Sequence, residues 1–409
     1  MLPVPLTVKS FSHDSNGFAL RFNDPFDPGA INLYDSTLAK LGLSDVILSG
    51  ASSGVVKGSV VFDADYKGLR YIASGSGLLA DTYSLTLKSG PSAFHSVFGN
   101  LDGNADGIGG DDYVTGFASG AAPALRLSLP DFMRGPGQSV DVPAAGRYLP
   151  LTLSSVGDVR NLRFSVRFDP TLMQITGALA GAGLPGGAAL AVDTSVAGQI
   201  TVAIASSTAI AAGKVTLVNL IARVPDTAAY GAVEVVDIGD VVANANSVNA
   251  ADDDALHVVG YIGDTNRNAK LDRDDVMLIL RNAARVDSGF AAWSYISPNM
   301  VGDVDGDGRL TTADASRVGQ KMNGLLRPEI PDVPTGIPIQ FATPLPTFTL
   351  PQIDFGTSFT DFTVGSTDPK WQRGNWKKAF VTNMADSTVN PNSSLKVTLD
   401  AAVQVTPSV

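Results

Sequence analysis

Two stretches of the chain, offset by 39 residues, carry oxygen-bearing side chains at positions 1, 3 and 5 of a twelve-residue loop and an acid at position 12. The first is Gly263-Asp264-Thr265-Asn266-Arg267-Asn268-Ala269-Lys270-Leu271-Asp272-Arg273-Asp274-Asp275. The second is Gly302-Asp303-Val304-Asp305-Gly306-Asp307-Gly308-Arg309-Leu310-Thr311-Thr312-Ala313-Asp314. Calcium takes six to eight oxygen ligands, and side chains at 1, 3 and 5 of a tight loop converge on one point. The carbonyl of position 7 joins them, position 9 adds an oxygen directly or through water, and position 12 brings round the last carboxylate. An apolar residue at position 8, here Leu271 or Leu310, can turn to a core. Position 6 needs a left-handed backbone. Gly308 suits it, and Ala269 is expected to cost about 1 kcal/mol of strain there. The plainer alternative, Asp-rich turns that only cap helices, has to account for two loops in one register.

Asp at position 12, the duplication and the leading Gly-Asp resemble dockerin modules, over roughly residues 262–326. The resemblance implies calcium ligands Asp264, Asn266, Asn268, Asp272 and Asp275 with the carbonyl of Lys270. In the second loop it implies Asp303, Asp305, Asp307, Thr311 and Asp314 with the carbonyl of Arg309. Two neutral amides in the first loop against two carboxylates in the second predict that the second is tighter. Dockerins choose partners partly through positions 10 and 11. Here these are Arg273-Asp274 and Thr312-Ala313, which differ from the familiar Ser-Thr pair and leave the partner open. Short helices over Val276–Ala284 and Ala315–Met322 should follow the loops, with Ile279, Leu280, Val318 and Met322 as their apolar residues. So small a unit is expected to fold only with its metal.

A third candidate precedes them. Asp102, Asn104 and Asp106 occupy positions 1, 3 and 5, Gly107 and Ile108 positions 6 and 7, and Asp111 and Asp112 close a shortened loop at positions 10 and 11. With Phe98-Gly99-Asn100 ahead, it resembles a dockerin-like half-repeat; the alternative is a hydrogen-bonded Asp/Gly hinge. Composition agrees with either reading. Of 40 acidic residues only Glu234 and Glu329 are glutamates, and Asp favours turns, caps and hard-cation loops.

The rest of the chain reads as mainly β. In residues 1–95, Phe18–Phe22, Ser59–Phe62, Leu69–Ile72 and Tyr83–Leu87 alternate apolar and polar residues, giving each strand one buried face. With Phe22-Asn-Asp-Pro-Phe-Asp-Pro28 and Val61-Phe-Asp-Ala-Asp65, this block resembles bacterial Ig-like domains of surface-layer and adhesin proteins. Residues 96–121 would be a calcium-loop linker. In residues 122–260, Asn161–Phe168, Gln199–Ile204, Val215–Val224 and Ala255–Val259 are strands, and Gly181–Ala191 is a loop. Phe168-Asp-Pro-Thr-Leu-Met173, the Gly198-Gln-Ile-Thr-Val strand and Val218-Asn-Leu-Ile-Ala-Arg-Val224 resemble a cohesin domain. That family implies a nine-stranded jelly-roll sandwich whose outer face binds dockerins. The expected architecture is therefore tandem β-sandwiches, Ig-like and then cohesin-like, followed by the small helical calcium module at 261–326. A proline-punctuated linker at 327–352 and an α+β tail at 353–409 complete it. In the tail, Trp371–Ala385 is a candidate helix and Ser394–Leu399 a strand.

Several classes of function are disfavoured. A net charge of −11 suits nucleic acid poorly. With no cysteine, disulfides and thiolate chemistry are excluded, and His13, His95 and His257 lie too far apart to suggest a catalytic triad. No stretch reaches the 18 or so apolar residues of a membrane helix. The N-terminus lacks a signal peptide's basic start and apolar run, so export is argued from the modules, with the leader absent from this chain. A glycosidase needs two carboxylates facing across a cleft, and none stand out beyond the loops. Asp252-Asp253-Asp254 reads as a solvated hairpin turn, with an auxiliary cation site as the sharper alternative. His257 reads as a packed or surface residue. Trp293, Trp371 and Trp376 read as anchors rather than a sugar platform. The expected function is a secreted, non-enzymatic, calcium-binding structural or adhesive protein of the bacterial cell surface or matrix. It would assemble through itself or a cohesin/dockerin-type partner, in a filament or layer. The alternative is a polysaccharide-binding accessory of a cellulosome-like enzyme system. Only Val259-Gly260-Tyr261-Ile262 separates the second sandwich from the first helical loop, so the helical unit should pack rigidly beside it or reach a neighbouring molecule.

Overall fold

The computed structural model describes residues 4–344 apart from Ser76, residues 121–123 and residues 247–249. The tail and the end of the linker, with the expected helix at Trp371–Ala385 and strand at Ser394–Leu399, lie outside the described residues.

Alternation sets the first sandwich. Its strands are β1 (Val8–His13), β2 (Gly17–Phe22), β3 (Val46–Gly50), β4 (Gly54–Val55), β5 (Gly58–Phe62), β6 (Gly68–Ala73) and β7 (Asp81–Leu87). A small hairpin of β8 (His95–Ser96) and β9 (Gly99–Asn100) follows, then β10 (Tyr113–Ser119). They form sheets of order β1-β2-β6-β5 and β10-β7-β3-β4. Phe18, Leu20 and Phe22 of β2 and Leu85 and Leu87 of β7 all point into the space between them. Phe18 stacks on Tyr71 with ring centroids 4.9 Å apart. The sandwich does not close at residue 95. β10 pairs with β7 from Tyr113↔Leu87 to Ser119↔Asp81, so part of the expected linker is an edge strand.

The second sandwich is built from β11 (Leu125–Ser128), β12 (Phe132–Arg134), β13 (Leu149–Ser155), β14 (Val159–Arg167), β15 (Gln174–Ala180) and β16 (Ala189–Asp193). It continues with β17 (Gln199–Ile210), β18 (Gly213–Arg223), β19 (Val233–Ala243), β20 (Ala250–Asp253) and β21 (Ala255–Val259). One sheet runs β15-β18-β13-β11-β20 and the other β12-β21-β19-β14-β17-β16. Leu162, Phe164 and Val166 of β14 and Ile200, Val202 and Ile204 of β17 fill its core, as the period of two requires. The Gly/Ala stretch read as a loop ends in β16, which pairs with β17 from Ala189↔Ala205 to Asp193↔Thr201.

Asp252–Asp254 is not a solvated turn. β20 runs parallel to β11, and Asp253 and Asp254 are buried where the two sandwiches meet. Asp254 receives the Ile238 amide at 2.8 Å and pairs with Arg70 of the first sandwich at 2.7 Å. Burial pushes its carboxyl up to about 6. His257 is packed, fully buried, stacked on Phe132 and 2.7 Å from Glu234.

The helical module comprises α1 (Arg273–Ala283), a short α2 (Pro298–Gly302) and α3 (Thr312–Met322). It is no free-standing unit. Ile279, Phe290, Trp293, Val301 and Val318 belong to the same continuous core as the first sandwich. The chain between α1 and α2 lies along that sandwich. The Val60 amide of edge strand β5 donates to the Tyr295 carbonyl at 2.9 Å, Leu33 donates to Ser294 at 2.8 Å, and Ser288 and Gly289 donate to the Asp35 carbonyl. Gly289 is obligatory, because a Cβ there would sit 2.3 Å from Cβ of Tyr34. Met133, Leu256 and Val258 on the outer face of the second sandwich's β12-β21-β19 end join the same core. The proline strap folds back as well. Ile330 is buried, Gln138 Nε2 donates to the Asp332 carbonyl at 2.9 Å, and Gln340 and Ala342 bond the backbone of Tyr230.

Candidate metal centres

The two helical loops and the earlier one share one backbone solution. Positions 4 and 6 are left-handed in all three: Arg267 and Ala269, Gly306 and Gly308, Ala105 and Gly107. That conformation turns the position-5 and position-6 amides onto the position-1 carboxylate. Asp264 accepts from Asn268 at 3.1 Å and Ala269 at 2.7 Å. Asp303 accepts from Asp307 at 3.2 Å and Gly308 at 2.7 Å. Asp102 accepts from Asp106 at 3.1 Å and Gly107 at 2.8 Å. Position 3 then accepts from position 5, and position 5 from position 7, through Asn266, Asn268 and Lys270 in the first loop. Asp305, Asp307 and Arg309 repeat the pattern in the second, and Asn104, Asp106 and Ile108 in the third. Ala269 adopts the left-handed conformation at φ 62° with its methyl buried in the core.

Positions 9 and 12 do two things at once in the helical loops. Asp272 is the N-cap of α1 and Asp275 its reciprocal partner; Thr311 and Asp314 do the same for α3. These are capping boxes. The same buried position-12 carboxylates also reach back over the loop. Asp275 Oδ1 takes the Thr265 amide at 2.8 Å and the Asn266 amide at 3.2 Å, while Asp314 Oδ1 takes Val304 at 3.1 Å. The third loop has no helix behind it. Asp111 closes it instead, through a bridge to Asp102 and a 2.8 Å bond from the Asn104 amide. Asp112 does not join it. Both its oxygens are turned to Lys88, at 2.7 Å, and the Ser89 amide, at 2.9 Å, because β10 begins there beside the end of β7.

Carboxylate oxygens of Asp303, Asp305 and Asp307 come within 4.8 Å of one another, as do those of Asp102, Asp106 and Asp111. Burial, with the charges of Asp314 and Asp305, pushes Asp303 up to about 6. Burial pushes Asp264 up to about 6 as well, with Asp275 adding to it. Asp272 moves the other way, held down by the Asn268 side-chain amide at 2.7 Å. Carboxylates this crowded repel one another, and the donor set is oxygen throughout, which fits a hard divalent cation. The second loop is not wholly uncompensated, since Arg317 pairs with Asp305 at 2.6 Å.

Two residues outside the loop pattern hold the first loop. Trp293, fully buried as an anchor, donates its indole N–H to the Asp264 carbonyl at 2.9 Å. Tyr230, in the turn between β18 and β19, donates its hydroxyl to the Asp264 carboxylate. Neither carries a sequence signal for this role.

Residues 134–262 match the family described as Cohesin domain. No curated protein matches the chain. Among solved structures, the sixth cohesin of the Acetivibrio cellulolyticus scaffoldin B, solved with a Cel5 dockerin, is 20% identical with a TM-score of 0.29, covering 33% of this chain and 99% of that one. A non-cellulosomal cohesin from the archaeon Archaeoglobus fulgidus is 16% identical with a TM-score of 0.28, over 33% and 90%. The seventh ScaB type I cohesin of Pseudobacteroides cellulosolvens is 15% identical with a TM-score of 0.28, over 33% and 92%. The match to the cohesin domain falls on the second sandwich, over residues 134–262.

Proposed function

We propose that this chain is a non-catalytic, extracellular assembly protein. Its cohesin-like sandwich docks a protein partner of dockerin type, and calcium in its Asp/Asn loops fixes the module beside it. The observation that carries the reading is the cohesin match over residues 134–262. The packing supports it. Among the described residues, the first sandwich and helical module cover the β12-β21-β19 end of the outer face, burying Leu256 and Val258. Farther along that sheet Arg163, Ala191 and Ala205 are exposed, which leaves room for a partner. Calcium is supported by the register and bonding common to the three loops, with Asp264, Asn266, Asn268, Asp272 and Asp275 as ligands in the first. Asp303, Asp305, Asp307, Thr311 and Asp314 serve in the second, and Asp102, Asn104, Asp106 and Asp111 in the third. The helical module is held in cis, so any self-association is between copies. Met277 and Leu280, exposed on α1, offer apolar surface for it, and a head-to-tail contact that does not close gives a filament or layer.

Size-exclusion chromatography with light scattering across calcium and protein concentrations, with bound calcium measured in parallel, tests this. Two or three calcium ions per chain and assemblies that a chelator disperses are expected. A monomer that binds no calcium under any condition overturns the reading.

A further inference from the structure

Tyr230 sits where three parts of the molecule meet. It belongs to the second sandwich and is fully buried. Its ring packs against Tyr261, with centroids 5.3 Å apart, and edge-on against Phe341 of the strap at 5.6 Å. Its hydroxyl accepts the Tyr261 amide at 3.0 Å and donates to Oδ2 of Asp264, which also takes the Ala269 amide. Its backbone N–H donates to the Gln340 carbonyl at 2.7 Å, and its carbonyl accepts the Ala342 amide at 2.9 Å. The other loops have nothing comparable among the described residues. At position 1, Asp303 and Asp102 accept only backbone amides of their own loops.

We propose that Tyr230 is the positioning residue of the first helical loop. Its hydroxyl fixes one oxygen of Asp264, so that cation occupancy of that loop depends on the docked β18–β19 turn and, through the Tyr230 backbone, on the docked strap. This rests on the calcium reading above. The physical basis is that groups bonded to a metal ligand, without touching the metal, set the ligand's orientation and commonly change affinity ten- to a hundredfold when removed. Linkage is reciprocal: what the strap gives to calcium binding, calcium gives back to the strap.

The test is calcium calorimetry on the full chain and on Tyr230→Phe, which keeps the ring and removes only the hydroxyl. One site should weaken about ten- to a hundredfold while the others keep their affinity. Amide exchange across residues 338–344 should slow when calcium is added to the unaltered chain, and slow less in the variant. If the unaltered chain binds no calcium, the calcium reading falls and this inference with it. If it binds calcium and Tyr230→Phe leaves every site unchanged, or weakens all equally, Tyr230 is not the positioning residue and the calcium reading stands. If Tyr230→Phe does not fold, exchange in the unaltered chain decides, and strap amides indifferent to calcium overturn the coupling.

Discussion

Asp314 is assigned two roles, and they can be separated energetically. Its buried carboxylate takes the amides of Val304 at 3.1 Å and Thr311 at 2.8 Å, and closes the capping box of α3. Asp314→Ala leaves those donors short of a partner. Each costs about 1–2 kcal/mol when it cannot reach water; the Thr311 bond is Asp314's half of the capping box, while the Thr311 side chain still caps Ala313. The expected loss in metal-free buffer is about 2–4 kcal/mol. If the second loop also holds calcium, free ion at about a hundred times its dissociation constant stabilises the unaltered chain by about 2.7 kcal/mol more. The variant forfeits that increment, so its deficit should widen to about 5–7 kcal/mol in calcium. Urea unfolding followed by circular dichroism, with and without chelator, measures both numbers. Asp112→Ala is the control. Its partners are the half-exposed Lys88 and the part-buried Ser89 amide, so its cost should be about 1–2 kcal/mol and independent of calcium. An Asp314→Ala deficit that is the same in calcium and in chelator would refute the metal role and leave capping alone.

Three further outcomes follow from the packing. Burial, opposed by the Asn32 amide at 2.8 Å, pushes Asp45 up to about 7; the folded carboxyl holds its proton more tightly than the unfolded one. Its stabilising share is present at low pH and lost as pH rises through about 7. Between pH 5 and 8 that loss is about 3 kcal/mol, and Asp45→Asn should flatten the slope in denaturation midpoints by that amount. Phe290→Ala, in the core common to the helical module and first sandwich, should cost about 3–5 kcal/mol and split a single calorimetric transition into two. Gly308 has open space around its missing Cβ but a φ of +84°, so Gly308→Ala should destabilise by about 1 kcal/mol by backbone strain alone, read from melting in chelator.

Local order was legible in the sequence, and assembly was not. Strands such as β2, β14 and β17 announced themselves because a sheet with one buried face writes a period of two, as Leu162, Phe164 and Val166 do. The helices behind the loops were placed within about three residues. The three loops were visible because their side-chain-to-amide bonding repeats at a fixed residue spacing. β10 was missed because it is a half-exposed edge strand with weak alternation. Asp252–Asp254 was misjudged because three adjacent acids look solvated until Arg70, 184 residues away, is brought to Asp254. Asp112 was grouped with Asp111 because adjacency in sequence hides that neighbouring strand residues face opposite ways. Tyr230 left no trace, since a tyrosine in a turn acquires its role only from what folds against it.

The edge of β5 and the loop above it are completed by residues that come late in the chain: Asp35 bonds to Ser288 across 253 positions. During synthesis the first sandwich therefore emerges with that flank unfinished, and the whole of the second must follow before Tyr295 arrives to cap it. Contacts this distant in sequence are slow to form, and an unpaired strand edge invites pairing with another chain in the interval. Order of emergence thus gives this protein a period of vulnerability that ends only when its third module is in place.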